Sequence, residues 1–139
     1  MGYRHIILMG YSLGTGVANY VASQRDPAGL ILMAPYAGGC DLYNHYLPIF
    51  YGPLRLLVAY PMPAADYAEQ AAVRPLILAS EGDETVPYQS SVRLSRAYPQ
   101  GCELITLHGI RHNDFWQSGE VLEQIQTYLA QCKGAASQK

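Results

Sequence analysis

Apolar residues along this chain fall into short runs separated by turn-forming residues. Four runs read as strands: His5 to Met9 (HIILM), Gly29 to Met33 (GLILM), Pro75 to Ala79 (PLILA) and Cys102 to Leu107 (CELITL). Runs of this kind, apolar with little alternation, suit strands buried on both faces. Between them the apolar spacing lengthens to the helical period. From Leu13 onward Val17, Ala18 and Val21 recur at that spacing, and a second helix is predicted over Gln89 to Tyr98, stopped by Pro99-Gln100-Gly101. A last helix is predicted over Phe115 to Gln131, with Val121, Leu122, Ile125, Tyr128 and Leu129 as one apolar stripe. Residues from Gly134 onward read as a polar tail, so the domain is expected over residues 1–133. Strand, helix, strand without a hairpin turn implies right-handed crossovers and a parallel sheet. The pattern predicts a three-layer α/β/α fold around a parallel sheet of about four strands.

The stretch from Cys40 to Ala72 breaks this regularity. It carries Tyr43, Tyr46, Phe50, Tyr51, Tyr60 and Tyr67, with prolines at 48, 53, 61 and 63. No long helix survives those prolines. Short helices near Asp41–Tyr46 and Leu54–Ala59 are expected, and the aromatic residues suit either a cap over a pocket or the cover of one sheet face.

Composition narrows the class. With 139 residues, half of them hydrophobic and 14% charged, the chain is long enough and apolar enough for one folded domain. A net charge of −2 without charge runs gives nucleic acid no electrostatic footing. No run reaches the roughly 18 apolar residues of a membrane helix, and the first nine residues lack the pattern of a signal peptide. Cys40, Cys102 and Cys132 are odd in number and lack metal-site spacing. Reduced thiols in a cytoplasmic setting, with no metal and no cofactor, are the simplest expectation.

Candidate chemistry sits at the strand ends. Gly10-Tyr11-Ser12-Leu13-Gly14 is a G-x-S-x-G sequence between a strand and a helix. In that setting the serine is expected at a strained turn, hydroxyl lifted clear of the sheet, at a helix N-terminus that favours a developing anion. Glycines on either side are expected to let the strand and helix backbones approach. Ligands of open parallel sheets bind beyond the carboxyl ends of the strands. Ser12 follows the first strand there, Asp83 the third and His112 the fourth. A serine hydroxyl needs a base to take its proton, and the base needs a carboxylate to fix its tautomer. For the acid, Asp83 is preferred to its neighbours Glu81 and Glu84, and Asp41 is the runner-up. For the base, His112 lies deeper in its loop than His108, which abuts the strand. His5 and His45 are read as structural or exposed. Asn113 or Asp114 is read as the N-cap of the last helix. Tyr11, Tyr36 and Tyr43 are candidate substrate-contacting residues.

Gly-Tyr-Ser-Leu-Gly-Thr-Gly, Glu-Gly-Asp-Glu-Thr-Val-Pro and Gly-Ile-Arg-His-Asn-Asp together resemble the three catalytic motifs of the α/β-hydrolase superfamily. The elbow and the His-Asn-Asp segment are similar to the serine-hydrolase branch that includes protein depalmitoylase-like enzymes. The resemblance implies that Ser12 is the nucleophile, Asp83 the orienting acid, His112 the base, and the Leu13 N–H one oxyanion donor. The family's sheet has eight strands, with the elbow after the fifth. This chain starts at the strand before the elbow, so it corresponds to the C-terminal half. The loop that supplies the second oxyanion donor precedes that half. Losing one such donor costs about 2.7–4 kcal/mol of transition-state stabilisation in a well-studied protease.

The expected activity is hydrolysis of a small-molecule or acyl ester, or a thioester, through an acyl-enzyme. A catalytically silent module binding an acyl ligand or a partner is the alternative from another class, and a peptidase of the same fold is a third. The strand His5 to Met9 is expected to expose an open, apolar edge, which invites a homodimer or an N-terminal-half partner.

Overall fold

The computed structural model describes residues 5–46, 53 and 61–136. Four parallel strands form one sheet in the order β1 (Ile7–Tyr11), β2 (Gly29–Met33), β3 (Leu76–Ser80), β4 (Glu103–Leu107). Every residue of β2 and β3 is buried, as their apolar sequences require, and the one polar residue among them is Ser80 at the end of β3. β1 lies two residues later than its apolar run suggests. The cause is register: Gly10 and Tyr11 pair with Leu32 and Met33, so the ladder continues up to the residue before Ser12.

Helices cover both faces. On one face lie α1 (Gly14–Gln24), α3 (Ala64–Gln70) and α4 (Tyr88–Ser95), packing Ala18, Ala22, Ala64, Ala68 and Leu94 against Leu30, Leu32 and Ile77. On the other lies α5 (Gly119–Ala136), with Val121, Ile125 and Tyr128 against Ile31, Met33, Leu76 and Leu78. α2 (Gly39–Tyr46) follows the crossover out of β2. The three-layer parallel architecture expected from the sequence is the one observed.

Several helical details differ from the sequence reading. α1 buries Thr15, Ala18, Asn19 and Ala22, while Val17 is 65% exposed. Its small face, rather than its most hydrophobic one, meets the alanines of α3. Small side chains let two backbones approach closely. The sequence pattern does not predict α3, because prolines 61 and 63 look like breakers. Pro63 instead occupies the N-cap position, where its missing N–H leaves no bond unmade. The helix expected over Leu54–Ala59 lies outside the described residues. α4 ends at Ser95, where the Arg96 and Ala97 N–H groups turn back onto Arg93 and Leu94. The last helix starts later than expected because His112–Gln117 form a 3₁₀ helix first. Ser118, not Asn113 or Asp114, caps α5, its Oγ accepting from the Val121 N–H at 3.4 Å. Leu122 is 44% exposed and lies off the buried stripe. α5 also runs on to Ala136, through the start of the segment read as a tail.

Candidate active site

The turn after β1 is strained in the way its sequence anticipates. Ser12 has φ of 52°, a left-handed conformation that non-glycine residues adopt rarely. Three hydrogen bonds hold it there. The Ser12 N–H donates to the Met33 carbonyl at 2.9 Å. The Ser12 carbonyl accepts from the Thr15 N–H at 3.0 Å and the Thr15 hydroxyl at 2.6 Å. The flanking glycines are not equivalent. A Cβ at Gly10 would lie 2.8 Å from the Gly14 oxygen and from Thr15 Cα, whereas one at Gly14 would meet nothing within 4 Å. The second crowded position is Gly16, where a Cβ would fall 2.1 Å from the Tyr36 hydroxyl. The close approach of strand and helix therefore needs Gly10, Gly16 makes room for the Tyr36 ring, and Gly14 is free of either demand.

The loops after β3 and β4 are tied into one body. Ser80 donates from Oγ to the Ile110 carbonyl at 2.6 Å and accepts from the Gly82 N–H at 3.1 Å. Gly82 lies so near Gly109 that a Cβ would come within 3.0 Å of its backbone. This strap delivers Asp83 to His112. His112 Nδ1 lies 2.8 Å from Asp83 Oδ2 and 3.0 Å from Oδ1, with both side chains buried. On the far side of the ring His112 Nε2 lies 2.9 Å from Ser12 Oγ. The structure thus brings Ser12, His112 and Asp83 into a single hydrogen-bonded line. Nδ1–H donating to the carboxylate leaves Nε2 to accept from the serine hydroxyl. Asp83 also caps its own loop, since Oδ1 accepts from the Thr85 and Val86 N–H groups at 2.8 and 2.9 Å. Those two bonds fix the carboxylate's plane, and so the ring it faces.

The competing acids and bases are engaged elsewhere. Asp41 pairs with Arg93 and accepts from the Ser90 hydroxyl. His108 is exposed and pairs with Glu81 at 2.9 Å. His5 and His45 are exposed. Glu84 is not an alternative acid either. It accepts from the His112 backbone N–H at 3.3 Å, and that N–H, after its own, lowers its carboxyl pKa.

The expected substrate-contacting tyrosines part company. Tyr43 lines an apolar cavity of about 560 Å³ that opens on Ser12, together with Leu42, Met62, Thr85 and Val86. Tyr36 is buried, with its hydroxyl 3.5 Å from the Leu13 carbonyl, and does not line that cavity. Tyr11 lines neither this cavity nor its neighbour. Its hydroxyl donates to the His112 carbonyl at 2.5 Å and its ring stacks on the imidazole at 5.1 Å. Burial, reinforced by Asp83, Glu84 and Asp114, raises its pKa and keeps it a proton donor. Sequence reasoning missed this supporting pair of Tyr11 and Glu84, because both hydrogen-bond to the backbone of His112. Leu13 stands at the N-terminus of α1, and among the described residues its N–H makes no backbone hydrogen bond. Among the described residues no cluster of His, Cys, Asp or Glu is arranged to hold a metal. The three cysteines are free, and no described helix is long and apolar enough to cross a membrane.

Comparison with known proteins bears on the family and the fold. The family model described as TAP-like protein, an α/β-hydrolase family, matches residues 58–138, the stretch that carries Asp83 and His112. An uncharacterized protein of Mycobacterium tuberculosis is 31% identical over 109 residues, 78% of this chain and 38% of its own length. The alpha/beta hydrolase domain-containing protein aho-3 of Caenorhabditis elegans is 24% identical over 124 residues, 89% of this chain and 36% of its own. The chain therefore spans less than two fifths of either relative. Est1E of Butyrivibrio proteoclasticus, solved with ferulic acid bound, superposes with a TM-score of 0.63 at 22% identity, over 91% of this chain and 60% of Est1E. The match of the family model over more than half the sequence, on a parallel sheet of the same fold, makes this chain a member of the TAP-like family of α/β-hydrolases.

Proposed function

We propose that this chain carries the acid–base and nucleophilic centre of a serine hydrolase that cleaves carboxyl esters or thioesters through an acyl-enzyme. One observation carries the reading: the unbroken line from Ser12 Oγ to His112 Nε2 at 2.9 Å and from His112 Nδ1 to Asp83 Oδ2 at 2.8 Å. As Ser12 Oγ attacks the carbonyl carbon, His112 takes the hydroxyl proton. It returns that proton to the departing alcohol or thiol. Water, deprotonated by the same nitrogen, then releases the acid and frees Ser12. Asp83 stabilises the imidazolium formed at each stage, and the Leu13 N–H, at the positive end of α1, supports the oxyanion. The apolar lining beside Ser12 favours an acyl group over a peptide, whose backbone polar groups would enter it unpaired.

A fluorophosphonate probe tests this directly. Ser12 should be labelled in the wild type, and Ser12→Ala should abolish labelling. Folded protein that the probe leaves untouched would overturn the proposal. With a turnover assay, Asp83→Asn should lower kcat by several hundredfold or more with a smaller effect on KM, because its contribution lies in the transition state.

A further inference from the structure

A second apolar cavity, of about 320 Å³, lies beside the one that opens on Ser12. Gly16, Val17, Tyr20, Tyr36 and Tyr67 form most of its wall. It holds no nucleophile and no charged side chain. Its tyrosines are committed to structure: Tyr20 and Tyr67 meet edge to face at 5.3 Å, and the Tyr36 hydroxyl points to the Leu13 carbonyl. Both volumes fall within the range of ligand-binding pockets. The two cavities share two lining residues, Leu13 and Met62. Leu13 belongs to the turn at Ser12. Met62 is therefore the part of the shared wall that lies outside the nucleophile turn.

Met62 is unusual in its backbone. It has φ of 42°, a conformation normally left to glycine. Strain of that kind persists only where the surroundings impose it. Here the Pro61 carbonyl accepts from the Gly39 N–H at 2.8 Å and the Met62 carbonyl from the Ala64 N–H at 2.9 Å. Nothing about the turn itself calls for a long side chain at this position, and glycine would adopt it without strain. The side chain present is an unbranched thioether, suited to filling an irregular gap.

We propose that Met62 is the partition between an acyl-binding cavity at Ser12 and a second cavity able to hold the distal part of a longer aliphatic chain. Met62 thereby sets the acyl length the site accepts. The ligand class is an ester or thioester of an unbranched aliphatic acid, with its carbonyl at Ser12 and its tail toward Met62. The proposal rests on Ser12 being the residue that is acylated, so its test needs a readout that does not depend on turnover.

The test uses Met62→Gly, which removes the partition and relieves the backbone. Two quantities are measured in parallel: kcat/KM for the p-nitrophenyl esters of butanoic, octanoic and dodecanoic acids, and calorimetric affinity for the three free acids. Met62→Gly should improve dodecanoyl over butanoyl by at least about tenfold in both series, since each further methylene buried is worth about fourfold. Adding Val17→Trp, which fills the second cavity from its exposed rim, should cancel that gain. An unmoved chain-length profile in an enzyme that does hydrolyse esters would overturn the partition and leave the hydrolase reading standing. A shifted profile of acid binding without ester turnover would uphold the partition and count against the hydrolase. Neither turnover nor binding in wild type and variant would overturn it, as would a gain that survives Val17→Trp.

Discussion

A methyl group at position 10 would press on two backbone atoms at 2.8 Å, and neither can retreat without moving the start of α1. Gly10→Ala is therefore expected to destabilise the fold by about 1–3 kcal/mol, the usual range for overpacking, and to disturb Ser12. Gly14→Ala should leave stability unchanged or raise it by up to about 1 kcal/mol, since glycine is a poor helix residue. Thermal melts of the two variants decide this, and equal losses would contradict it. Glu84 offers a test by pH. Its carboxyl pKa is lowered by its own N–H and by that of His112, so its contribution is full above its ordinary value of 4.5 and fades as pH falls through the lowered one. The stability gap between wild type and Glu84→Gln should narrow as pH is taken below 4.5. A gap that stays constant through that range would remove Glu84 from the support of His112. Side chains that make bonds to other side chains, Ser12, Asp83 and His112, were legible from residue type and order alone. Tyr11, Ser80 and Glu84 were not, since each bonds to a backbone group that every residue possesses.

Among the elements, α5 packs on the sheet and is also tied to it by the Tyr128 phenol. Tyr128 Oη accepts from the Leu30 N–H at 3.1 Å and donates to the Arg74 carbonyl at 2.7 Å. Tyr128→Phe leaves both groups without their partner and should lower stability by about 1–3 kcal/mol. Burial, above all, pushes the Tyr128 pKa up to about 12 from 10.0. The folded value is the higher one, so the phenol's contribution is whole below pH 10 and is lost as pH climbs toward about 12. Chemical denaturation across that window should show the advantage of wild type over Tyr128→Phe shrinking; an advantage that grows would refute the assignment. The sequence showed β2 and β3 plainly, because a strand buried on both faces is apolar over nearly all its length, Ser80 at the end of β3 being the exception. It misled on α1, whose buried face is chosen by size. Thr15 and Asn19 are fully buried there while Val17 stands in solvent. It hid α3 behind a proline, Pro63, that begins the helix rather than ending it.

For the molecule as a whole, β1 pairs with β2 on one side, and no described strand lies on its other side. Ile6 and Met9 on this strand segment, and Leu13, Val17 and Tyr20 along α1, are all exposed. An open apolar edge of this kind invites pairing with another chain. The isolated chain is expected to self-associate, and Met9→Lys, which sets a charge on the edge, is expected to reduce it. Light scattering across a concentration series checks both, and a monomer at every concentration would set the expectation aside. The same sheet has a consequence for how the molecule comes into being. Its strands lie side by side in the order in which they are synthesised, so each can dock on the one before it without waiting for distant sequence. The bond from Ser12 to His112 is different, for it closes across 100 residues. Long closures carry the larger entropic penalty and reward the chain only when their ends are already placed. Reactivity toward a serine probe should then return, on refolding, only after the sheet has formed, and a site that reacts ahead of the sheet would contradict this order. In this chain Ser12 is placed by the turn after β1, and the proposed triad is completed only when the loop after β4 arrives.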